Sequence, residues 1–325
     1  MVVDAYWSII EMFYSEGESI LCSEDKVTNR PETCAVVVTY NRKDKLKKCI
    51  DGLLAQKFVS TDIIIINNAS TDGTEEMVLS EYVSEGFYYI NTGANLGGAG
   101  GFERGVKEAV LKDYKYIWLM DDDTWPSDTA LFELLKTGKA LKENWGFLSS
   151  VAYWTDGSIC RMNIQKSNIF RHIGKREYSM EYAPIKMCSF VSLLVKSDVV
   201  KDVGLPIGDY FIWTDDYEFT GRISQKYSCY MVPSSHVIHA MNRHTRVNFA
   251  TDDSDRIERY QYIYRNDVHC YKQYGLMGVG YIVLKDGYTI LNILLNSQSN
   301  KMKKIKVLWN GVMEGITYNP EIKRV

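Results

Sequence analysis

Short runs of apolar and β-branched residues alternate with amphipathic stretches in the first part of this chain. Ala35–Tyr40 and Ile63–Ile66 predict strands that are buried on both faces, and Tyr88–Asn91 and Tyr116–Met120 predict two more. A helix is predicted between successive strands. Strands separated by helices pair in parallel, because the chain must cross over before it returns. The sequence therefore predicts an α/β fold whose loops gather at one edge of the sheet.

The predicted elements divide the chain into three regions. Residues 1–32 form an N-terminal extension, and residues 33–245 form the α/β domain, in which Phe147–Tyr153 and Met187–Val195 predict further strands. Residues 246–325 are predicted to be mainly helical. The fold class is therefore α/β, with a Rossmann-like nucleotide-binding half, a mixed central sheet and a helical C-terminal extension.

Composition limits the compartment and the partners of the protein. The 325 residues carry a net charge of -3, which argues against a general nucleic-acid binder. The seven cysteines are scattered without a CxxC pair, as expected of free thiols in a reducing cytosol. The N-terminus is acidic and lacks the basic segment of a secretory signal, and no apolar stretch is expected to reach the length of a membrane span. We therefore expect a cytoplasmic protein.

Three consecutive carboxylates follow the fourth predicted strand. In Trp118–Asp123 an apolar run ends in Asp121, Asp122 and Asp123, at the edge where open α/β sheets bind ligands. Adjacent carboxylates repel one another unless water or a cation offsets their charge, and their hard oxygens suit Mg²⁺ or Mn²⁺. The two interpretations are a metal site and a solvated acidic turn that caps the following helix.

A glycine-rich segment precedes the helix that leads to this strand. Asn91–Phe102 holds five glycines in twelve positions. Glycine lets a backbone approach a ligand closely, and a helix N-terminus favours anionic groups. The segment matches neither a Walker loop nor a GxGxxG fingerprint, so a flexible connector is the alternative to a phosphate-binding loop.

A second acidic pair, Asp215 and Asp216, lies at the predicted start of a helix. Aspartate commonly caps helices, so capping is one interpretation of the pair. The other interpretation is a general base, which takes a proton from an attacking hydroxyl. Trp213 and Tyr210 could then stack on a sugar ring, although burial is the commoner use of such aromatic residues.

Histidine supplies the remaining candidate metal ligand. His236 and His239 follow an apolar run that predicts a strand. A single histidine is more often a structural residue than a ligand, and we favour that interpretation for His236, His172, His244 and His269. His239 differs, because an imidazole added to the acidic cluster would complete a divalent site of the Mn²⁺ type.

Four segments of the chain together carry a resemblance to a known family. They resemble the successive motifs of family 2 inverting glycosyltransferases of the GT-A fold, occur in family order, and cover about residues 33–245. The glycine-rich loop, the triple aspartate and Trp213–Phe219 are most similar to the bacterial galactofuranosyl- and rhamnosyltransferase branch. The four motifs are Val36–Arg42, Asn67–Thr74, Asn95–Phe102 and Trp118–Asp123.

The resemblance implies a role for each matched residue. Asp216 would be the catalytic base, with Asp215 and Trp213 at the acceptor. Asn68 would meet the nucleotide base but stands where many relatives have aspartate, which leaves the choice between uridine and thymidine open. The implied metal ligands are Asp121, Asp123 and His239, with His236 as the fallback, and the implied donor contacts are Thr39, Tyr40, Arg42, Asn68, Asp72, Gly97, Gly98, Asp121 and Asp122.

The resemblance further implies a metal-dependent inverting glycosyltransferase. It would use Mn²⁺ or Mg²⁺ and move a sugar from a UDP or dTDP donor to a glycan or lipid-linked acceptor in bacterial surface polysaccharide synthesis. UDP-galactofuranose is the favoured donor, and dTDP-rhamnose or another UDP-hexose is the alternative. The competing classes are a non-catalytic glycan- or nucleotide-binding module and a nucleotidyltransferase.

The C-terminal region has two further candidate roles. Arg259–Asn266 resembles a helical Tyr/Arg-Asn element that follows the catalytic domain of many relatives, and an acceptor role and an ordinary amphipathic helix are both open for it. The basic tail from Lys301 could touch an anionic membrane surface on the inner face of the cell membrane, but a solvated basic helix is favoured. A homo-oligomer is also compatible with the sequence.

Overall fold

A nine-stranded mixed sheet forms the centre of the described structure, a computed structural model that describes residues 30–241, 248–252 and 256–325. Most of the predicted extension, residues 1–32, lies outside the described residues. The strands are β1 (Thr33–Thr39), β2 (Asp62–Asn67), β3 (Phe87–Asn91), β4 (Tyr116–Asp121), β5 (Thr124–Pro126), β6 (Phe147–Tyr153), β7 (Ala183–Pro184), β8 (Leu193–Lys196) and β9 (Tyr230–His239). The helices are α1 (Lys43–Leu54), α2 (Thr74–Glu81), α3 (Gly97–Leu111), α4 (Ala130–Ala140), α5 (Ser197–Val203), α6 (Asp215–Ser224), α7 (Tyr260–Lys272), α8 (Gly275–Asn296) and α9 (Lys301–Thr317).

The order of the strands confirms the predicted parallel half of the sheet. Strands β3, β2, β1 and β4 lie side by side and run parallel. Beyond β4 the sheet is mixed: β8 runs antiparallel to β4 and β6, β9 runs parallel to β6, and β5 and β7 pair antiparallel with β9. The parallel strands end together at Thr39, Asn67, Asn91 and Asp121, so the residues that follow them share one edge of the sheet.

Helices cover both faces of the parallel strands. Val36 and Val38 of β1 pack in the core that includes α3, whereas Ala35 and Val37 pack in the core that includes α1. Because successive side chains of a strand point to opposite faces, a strand covered on both sides is apolar at every position. The buried face of α1 ends at Leu53, and Leu54, the last residue of that helix, is 58% exposed.

Glycines allow α3 to pack closely on β1. A Cβ added to Gly101 would lie 2.4 Å from Cγ1 of Val38, and one added to Gly105 would lie 2.3 Å from Cγ1 of Val36. The residues 97–102 of the glycine-rich segment are the first residues of α3. A flexible connector is therefore the wrong interpretation for this half of the segment.

One predicted strand is shorter than expected. Within Met187–Val195, the structure has strand residues only from Leu193, because the chain turns at Ser192, whose φ is 62°. Oγ of Ser192 accepts the indole N–H of Trp118 at 2.9 Å and lies 2.6 Å from Oγ of Ser150. The turn thus gives a buried indole in β4 its hydrogen-bond partner.

Three helices follow the sheet and confirm the helical C-terminal region. Helix α8 has 22 residues and is, by length and composition, apolar enough to cross a membrane. The expectation that no apolar stretch reaches that length is therefore wrong: Lys285 and Asp286 interrupt the run, but the other residues of the helix are uncharged. The six described cysteines are buried free thiols, as predicted, and Cys22 lies outside the described residues.

Candidate active site

Strand pairing brings the predicted metal ligands together. Asp121 is the last residue of β4, and the turn after it leads through Asp123 into β5. Strand β5 pairs antiparallel with β9, which places His239 opposite Thr124. As a result, one ligand atom each from Asp121, Asp123 and His239 lies within 4.8 Å of the other two. Two carboxylates and one imidazole form a donor set that fits Mn²⁺ or Mg²⁺.

Basic side chains also contact these carboxylates. Nη1 of Arg42 donates to Oδ2 of Asp123 at 3.0 Å, and Nζ of Lys45 donates to the same oxygen at 3.2 Å. Oδ1 of Asp123 lies 3.1 Å from Nε2 of His239. Burial raises the pKa of Asp123, but the hydrogen bond with His239 and the three cationic neighbours outweigh it and hold that pKa below its usual range. Asp123 is therefore ionised and able to act as a ligand.

The imidazole of His239 is held by an amide on its other side. Nδ1 lies 2.7 Å from Oδ1 of Asn163, and Nδ2 of Asn163 donates to Oγ of Ser189 at 2.8 Å, which fixes the orientation of the amide. In this arrangement Oδ1 of Asn163 accepts the N–H of Nδ1, and Nε2, which faces Asp123, is the nitrogen that a metal ion would bind after displacing its proton. Burial lowers the pKa of His239, but its contacts with Asp123 and Cys160 raise it to about 9.

Asp122 is bound by β1 and the residues after it. Its Oδ2 accepts the hydroxyl of Thr39 at 2.8 Å, and its Oδ1 accepts Nη1 of Arg42 at 3.1 Å. Burial raises the pKa of Asp122 to about 7. Asp122 and Asp123 are each 3% exposed, so the interpretation of a solvated acidic turn is wrong. Thr39 and Arg42, which were predicted to contact the nucleotide, hold this cluster in place.

The second acidic pair lies in the first turn of α6. The N-cap residue is Thr214, so neither Asp215 nor Asp216 caps the helix. Oδ1 of Asp216 accepts the backbone N–H of Tyr217 at 2.7 Å. Burial raises the pKa of Asp216 to about 7 and that of Asp215 well above its usual range, and the charge of Asp121 acts on both in the same direction. The two acidic clusters are therefore within electrostatic reach of each other, and the role of Asp216 as a general base stays a prediction.

The loop that leads to this pair has an unusual backbone. Phe211, Trp213 and Thr214 have φ of 63°, 66° and 68°. These left-handed conformations are uncommon for residues other than glycine and cost free energy unless neighbouring groups stabilise them. Nδ2 of Asn266 on α7 lies within 3.1 Å of three carbonyl oxygens of the loop. Those oxygens belong to Tyr210, Ile212 and Trp213.

The Arg-Asn element of α7 thus contacts the loop before the candidate base. Nη2 of Arg265 donates to the carbonyl oxygen of Asp209 at 3.0 Å, and the hydroxyl of Thr214 donates to Oδ1 of Asp267 at 2.8 Å. Asn266, which lies between Arg265 and Asp267 in the sequence, is fully buried. An amphipathic pattern does not predict a polar contact of this kind, and an acceptor role for the element stays a prediction.

The N-terminus of α3 lies against the same loop. Gly97 has φ of +72°, and a Cβ there would lie 1.9 Å from the carbonyl oxygen of Phe211. Nδ2 of Asn68, a residue that is 2% exposed, donates to the carbonyl oxygen of Gly97 at 2.8 Å. A Cβ on Gly98 would meet no atom within 4 Å. Gly97 is therefore required for packing, whereas Gly98 borders open space.

The remaining predicted donor residues lie after β1 and β2. Tyr40 is 44% exposed directly beyond the end of β1. Asp72 accepts the backbone N–H groups of Lys43 and Thr74 at 2.9 and 3.2 Å, so it supports its own loop. Burial raises the pKa of Asp72, but these hydrogen bonds and the hydroxyl of Thr74 lower it overall. Contact of either residue with a nucleotide stays a prediction.

Two of the predicted aromatic residues differ in burial. The ring of Trp213 is half-buried, with its centroid 5.3 Å from that of Tyr260. Tyr210 is fully buried, and its hydroxyl lies 2.6 Å from Nδ1 of His269. Stacking of Tyr210 on a sugar is therefore the wrong interpretation, and the structural interpretation of His269 is supported. His236 is exposed on β9 and outside the metal group, and His244 lies outside the described residues.

The sequence pattern missed a buried lysine near the candidate base. Lys166 is 4% exposed, donates to the hydroxyl of Tyr271 at 2.6 Å, and lies 4.7 Å from the ring centroid of Tyr217. Burial lowers the pKa of Lys166 to about 8. Its positive charge lowers the pKa of Asp216, opposing the larger effect of burial. Nothing in the polar segment 165–179 distinguishes this lysine from a surface residue.

Known proteins resemble this chain in sequence. The family model described as Glycosyl transferase family 2 matches residues 34–204. Galactofuranosyltransferase GlfT1 of Mycolicibacterium smegmatis is 26% identical over 203 residues, which cover 61% of this chain and 67% of that protein. Galactofuranosyltransferase GlfT1 of Mycobacterium tuberculosis is 28% identical over 198 residues, which cover 58% of this chain and 63% of that protein. The chain thus spans about two thirds of the length of these relatives.

A solved structure shares the fold. The crystal structure of GalNAc-T7 with UDP, GalNAc and Mn²⁺ matches with a TM-score of 0.61 at 13% sequence identity, over 87% of this chain and 55% of that chain. At this level of identity the likeness concerns the fold, and it confirms the predicted GT-A architecture.

Proposed function

This chain belongs to glycosyl transferase family 2, and we propose that its site moves a sugar from a nucleotide diphosphate donor to an acceptor hydroxyl with inversion at the anomeric carbon. The observation that carries the proposal is the group Asp121, Asp123 and His239, whose ligand atoms lie within 4.8 Å of one another and within electrostatic reach of Asp216. A cation that offsets the charge of the leaving diphosphate and a base that takes the proton of the hydroxyl both favour this displacement.

The residues of the chain would divide the reaction between them. Asp216 accepts the proton of the acceptor hydroxyl, and the hydroxyl oxygen forms a bond to the anomeric carbon on the face opposite the diphosphate. The bond between that carbon and the diphosphate oxygen breaks, and the diphosphate leaves with the electron pair. A divalent cation held by Asp121, Asp123 and His239 would offset the charge that develops on it. No nucleophilic side chain is needed, because a single displacement inverts the centre.

We propose UDP-galactofuranose as the donor and Mn²⁺ or Mg²⁺ as the cofactor. The support for the donor is the similarity to two proteins named as galactofuranosyltransferases. At identities of 26% and 28%, dTDP-rhamnose or another UDP-hexose remains the alternative. The support for the metal is the Asp-Asp-His donor set, and GalNAc-T7, which shares the fold, was solved with UDP and Mn²⁺.

The proposed acceptor is a glycan or lipid-linked glycan of bacterial surface polysaccharide synthesis, elongated on the cytoplasmic side of the cell membrane. The support is the bacterial origin of the two galactofuranosyltransferase relatives. Trp213, half-buried in the loop before Asp216, and the neighbouring Asp215 are the residues proposed to face this acceptor.

Release of nucleoside diphosphate from a panel of donors tests the proposal. The panel is UDP-galactofuranose, UDP-galactopyranose, UDP-glucose and dTDP-rhamnose, each with Mn²⁺ and with EDTA. We expect turnover of one donor that EDTA abolishes. Asp216→Asn should lower that turnover by about 10²- to 10⁴-fold while nucleotide binding by calorimetry is retained. Asp198→Asn, at an exposed position on α5, is the matched control.

Three results would contradict the proposal in different ways. A fully active Asp216→Asn variant would remove Asp216 from the role of base. Nucleotide binding that EDTA leaves unchanged, with no turnover of any donor, would indicate a binding module. Release of pyrophosphate from a nucleoside triphosphate and a sugar phosphate would indicate a nucleotidyltransferase.

A further inference from the structure

Helix α8 presents a long uncharged face to solvent. Six of its apolar side chains are 65% to 91% exposed. Single exposed apolar residues are normal on a protein surface, but a continuous row along one helix marks an interaction surface. Over 22 residues the helix is about 33 Å long. The six residues are Leu276, Met277, Val283, Leu284, Tyr288 and Leu295.

The opposite face of α8 is fixed to α7. A Cβ on Gly278 would lie 1.9 Å from the carbonyl oxygen of Tyr271, Ile282 packs in the same cluster as Tyr271, and Lys285 forms an ion pair with Asp267. Asp286 is buried as well. If α8 crossed a bilayer, Lys285 would lose this partner and enter hydrocarbon, which is costly. The helix therefore lies along the protein, with its apolar face outward.

Helix α9 adds basic residues next to this face. Nζ of Lys301 donates to the carbonyl oxygen of Leu294 at 2.8 Å, which joins the start of α9 to the end of α8. Lys301, Lys303 and Lys306 are exposed, and Trp309 is 60% exposed one turn further along. Nζ of Lys303 forms an ion pair with Glu258 at 3.1 Å. Cations in the first turn of a helix are disfavoured by the helix dipole, so helix stability does not account for Lys301.

The net charge of α8 and α9 is opposite in sign to the net charge of the whole chain. Residues 275–317 contain five lysines against one aspartate and one glutamate, a net charge of +3, whereas the chain carries -3. Asp286 is buried, and Oε1 of Glu314 accepts Nη1 of Arg265 at 3.2 Å. Of the five lysines, Lys285 is paired with Asp267 and Lys304 is buried, which leaves Lys301, Lys303 and Lys306 exposed. The exposed charge beside the apolar row is therefore basic.

We propose that the exposed sides of α8 and α9, which we call the C-terminal face, bind the surface of a bilayer that contains anionic lipid. Apolar side chains that enter the acyl boundary, Tyr288 and Trp309 at the headgroup level, and adjacent lysines are the features of a helix that lies in the membrane interface. A contact between two copies is disfavoured, since lysine is depleted in protein interfaces and three exposed lysines adjoin the apolar row. The inference does not depend on the sugar that the enzyme transfers.

Flotation of the full chain with lipid vesicles tests the inference. We expect the protein to float with phosphatidylcholine vesicles that contain phosphatidylglycerol, and to bind vesicles of phosphatidylcholine alone more weakly. Leu284→Asp/Leu295→Asp should lower the partition coefficient by on the order of 100-fold, because two side chains leave the acyl boundary. Lys301→Gln/Lys303→Gln/Lys306→Gln should lower it by about fivefold per lysine, and only with the anionic vesicles.

The controls separate lipid binding from unfolding and from self-association. Leu79→Asp/Leu111→Asp changes two exposed leucines of α2 and α3 and should leave flotation unchanged. Thermal melting checks that each variant folds. If the leucine variant does not fold, the lysine variant alone tests whether the C-terminal face binds lipid. The inference is overturned if the native chain does not float with anionic vesicles, or if the α2 and α3 control loses binding equally. A leucine variant that becomes monomeric in light scattering but still floats would assign the face to a second copy.

Discussion

The side-chain amide of Asn266 and the carbonyl oxygen of Trp213 lie 2.9 Å apart, and this contact joins the C-terminal helices to the loop of the candidate base. Asp216 follows Trp213 by three residues. Of the two residues between them, Thr214 has a left-handed backbone and Asp215 is the first residue of α6. The loop has positive φ at Trp213 and Thr214, and α7 supplies hydrogen bonds that stabilise this backbone. The loop before the candidate base is therefore held by a helix outside the family-matched residues 34–204.

Replacement of Asn266 should disturb catalysis as well as stability. Asn266→Leu keeps the approximate volume but removes the donor to three carbonyl oxygens, and we expect the free energy of unfolding to fall by about 2 to 4 kcal/mol. Because the loop relaxes, kcat should fall more than tenfold while the nucleotide affinity changes little. Urea unfolding and steady-state kinetics measure the two effects. Gln273→Leu, at an exposed residue after α7, is the control. A variant with native kcat would show that the loop holds its shape without Asn266.

The sequence predicts the parts of this protein that depend on local pattern. Strand β1 is apolar from Cys34 to Val38 because α1 and α3 cover its two sides, and that coverage leaves an uninterrupted run in the sequence. Asp121 and Asp123 were identifiable because they follow such a run at the carboxyl edge of the sheet. His239 was assigned to the same site because an imidazole would complete the donor set and because of the family resemblance, and the pairing of β5 with β9 shows how it reaches the carboxylates.

The parts that the sequence does not predict depend on contacts between distant residues. Asn163 meets His239 across 76 positions, and Lys166 meets Tyr271 across 105 positions. Each is a single polar residue in a polar segment, so no periodicity distinguishes it from a surface residue. The membrane-span length of α8 was missed for a different reason: Lys285 and Asp286 break the apolar run in the sequence, but in the structure Lys285 pairs with Asp267 of α7 and Asp286 is buried.

Lys166 should influence the pH at which the base becomes active. A base works when it is ionised, so the rate should rise with pH through the pKa of Asp216, about 7. The charge of Lys166 favours ionised Asp216 and lowers that pKa. Lys166→Met should therefore move the acidic limb of the kcat/KM profile to higher pH, whereas Lys166→Arg, which keeps the charge, should leave it closer to the native position. Identical limbs for the native chain and Lys166→Met would rule out this coupling.

The two adjacent glycines at the start of α3 should respond differently to the same substitution. Gly97→Ala places a Cβ 1.9 Å from the carbonyl oxygen of Phe211 at a residue with φ of +72°, so we expect a loss of about 2 kcal/mol or more of unfolding free energy and loss of activity. Gly98→Ala meets no atom within 4 Å and should leave the stability unchanged or slightly higher. If Gly98 borders the donor, Gly98→Ala should raise KM for the nucleotide sugar. Equal stability of the two variants in urea unfolding would contradict the close contact with Phe211.

Asn163 should affect metal binding through the orientation of His239. Its Oδ1 lies 2.7 Å from Nδ1 of His239, so it keeps Nε2 directed to the side of Asp123. We expect Asn163→Ala to weaken Mn²⁺ binding by about 10- to 100-fold, because an unsupported imidazole can rotate or change tautomer. Asn163→Asp keeps an acceptor at that position and should restore most of the affinity. Asn168→Ala, in the exposed turn before Phe170, is the control. Calorimetric titration of the full chain with Mn²⁺ measures the affinity directly, and equal affinity for Asn163→Ala and the native chain would show that the amide does not set the ligand geometry.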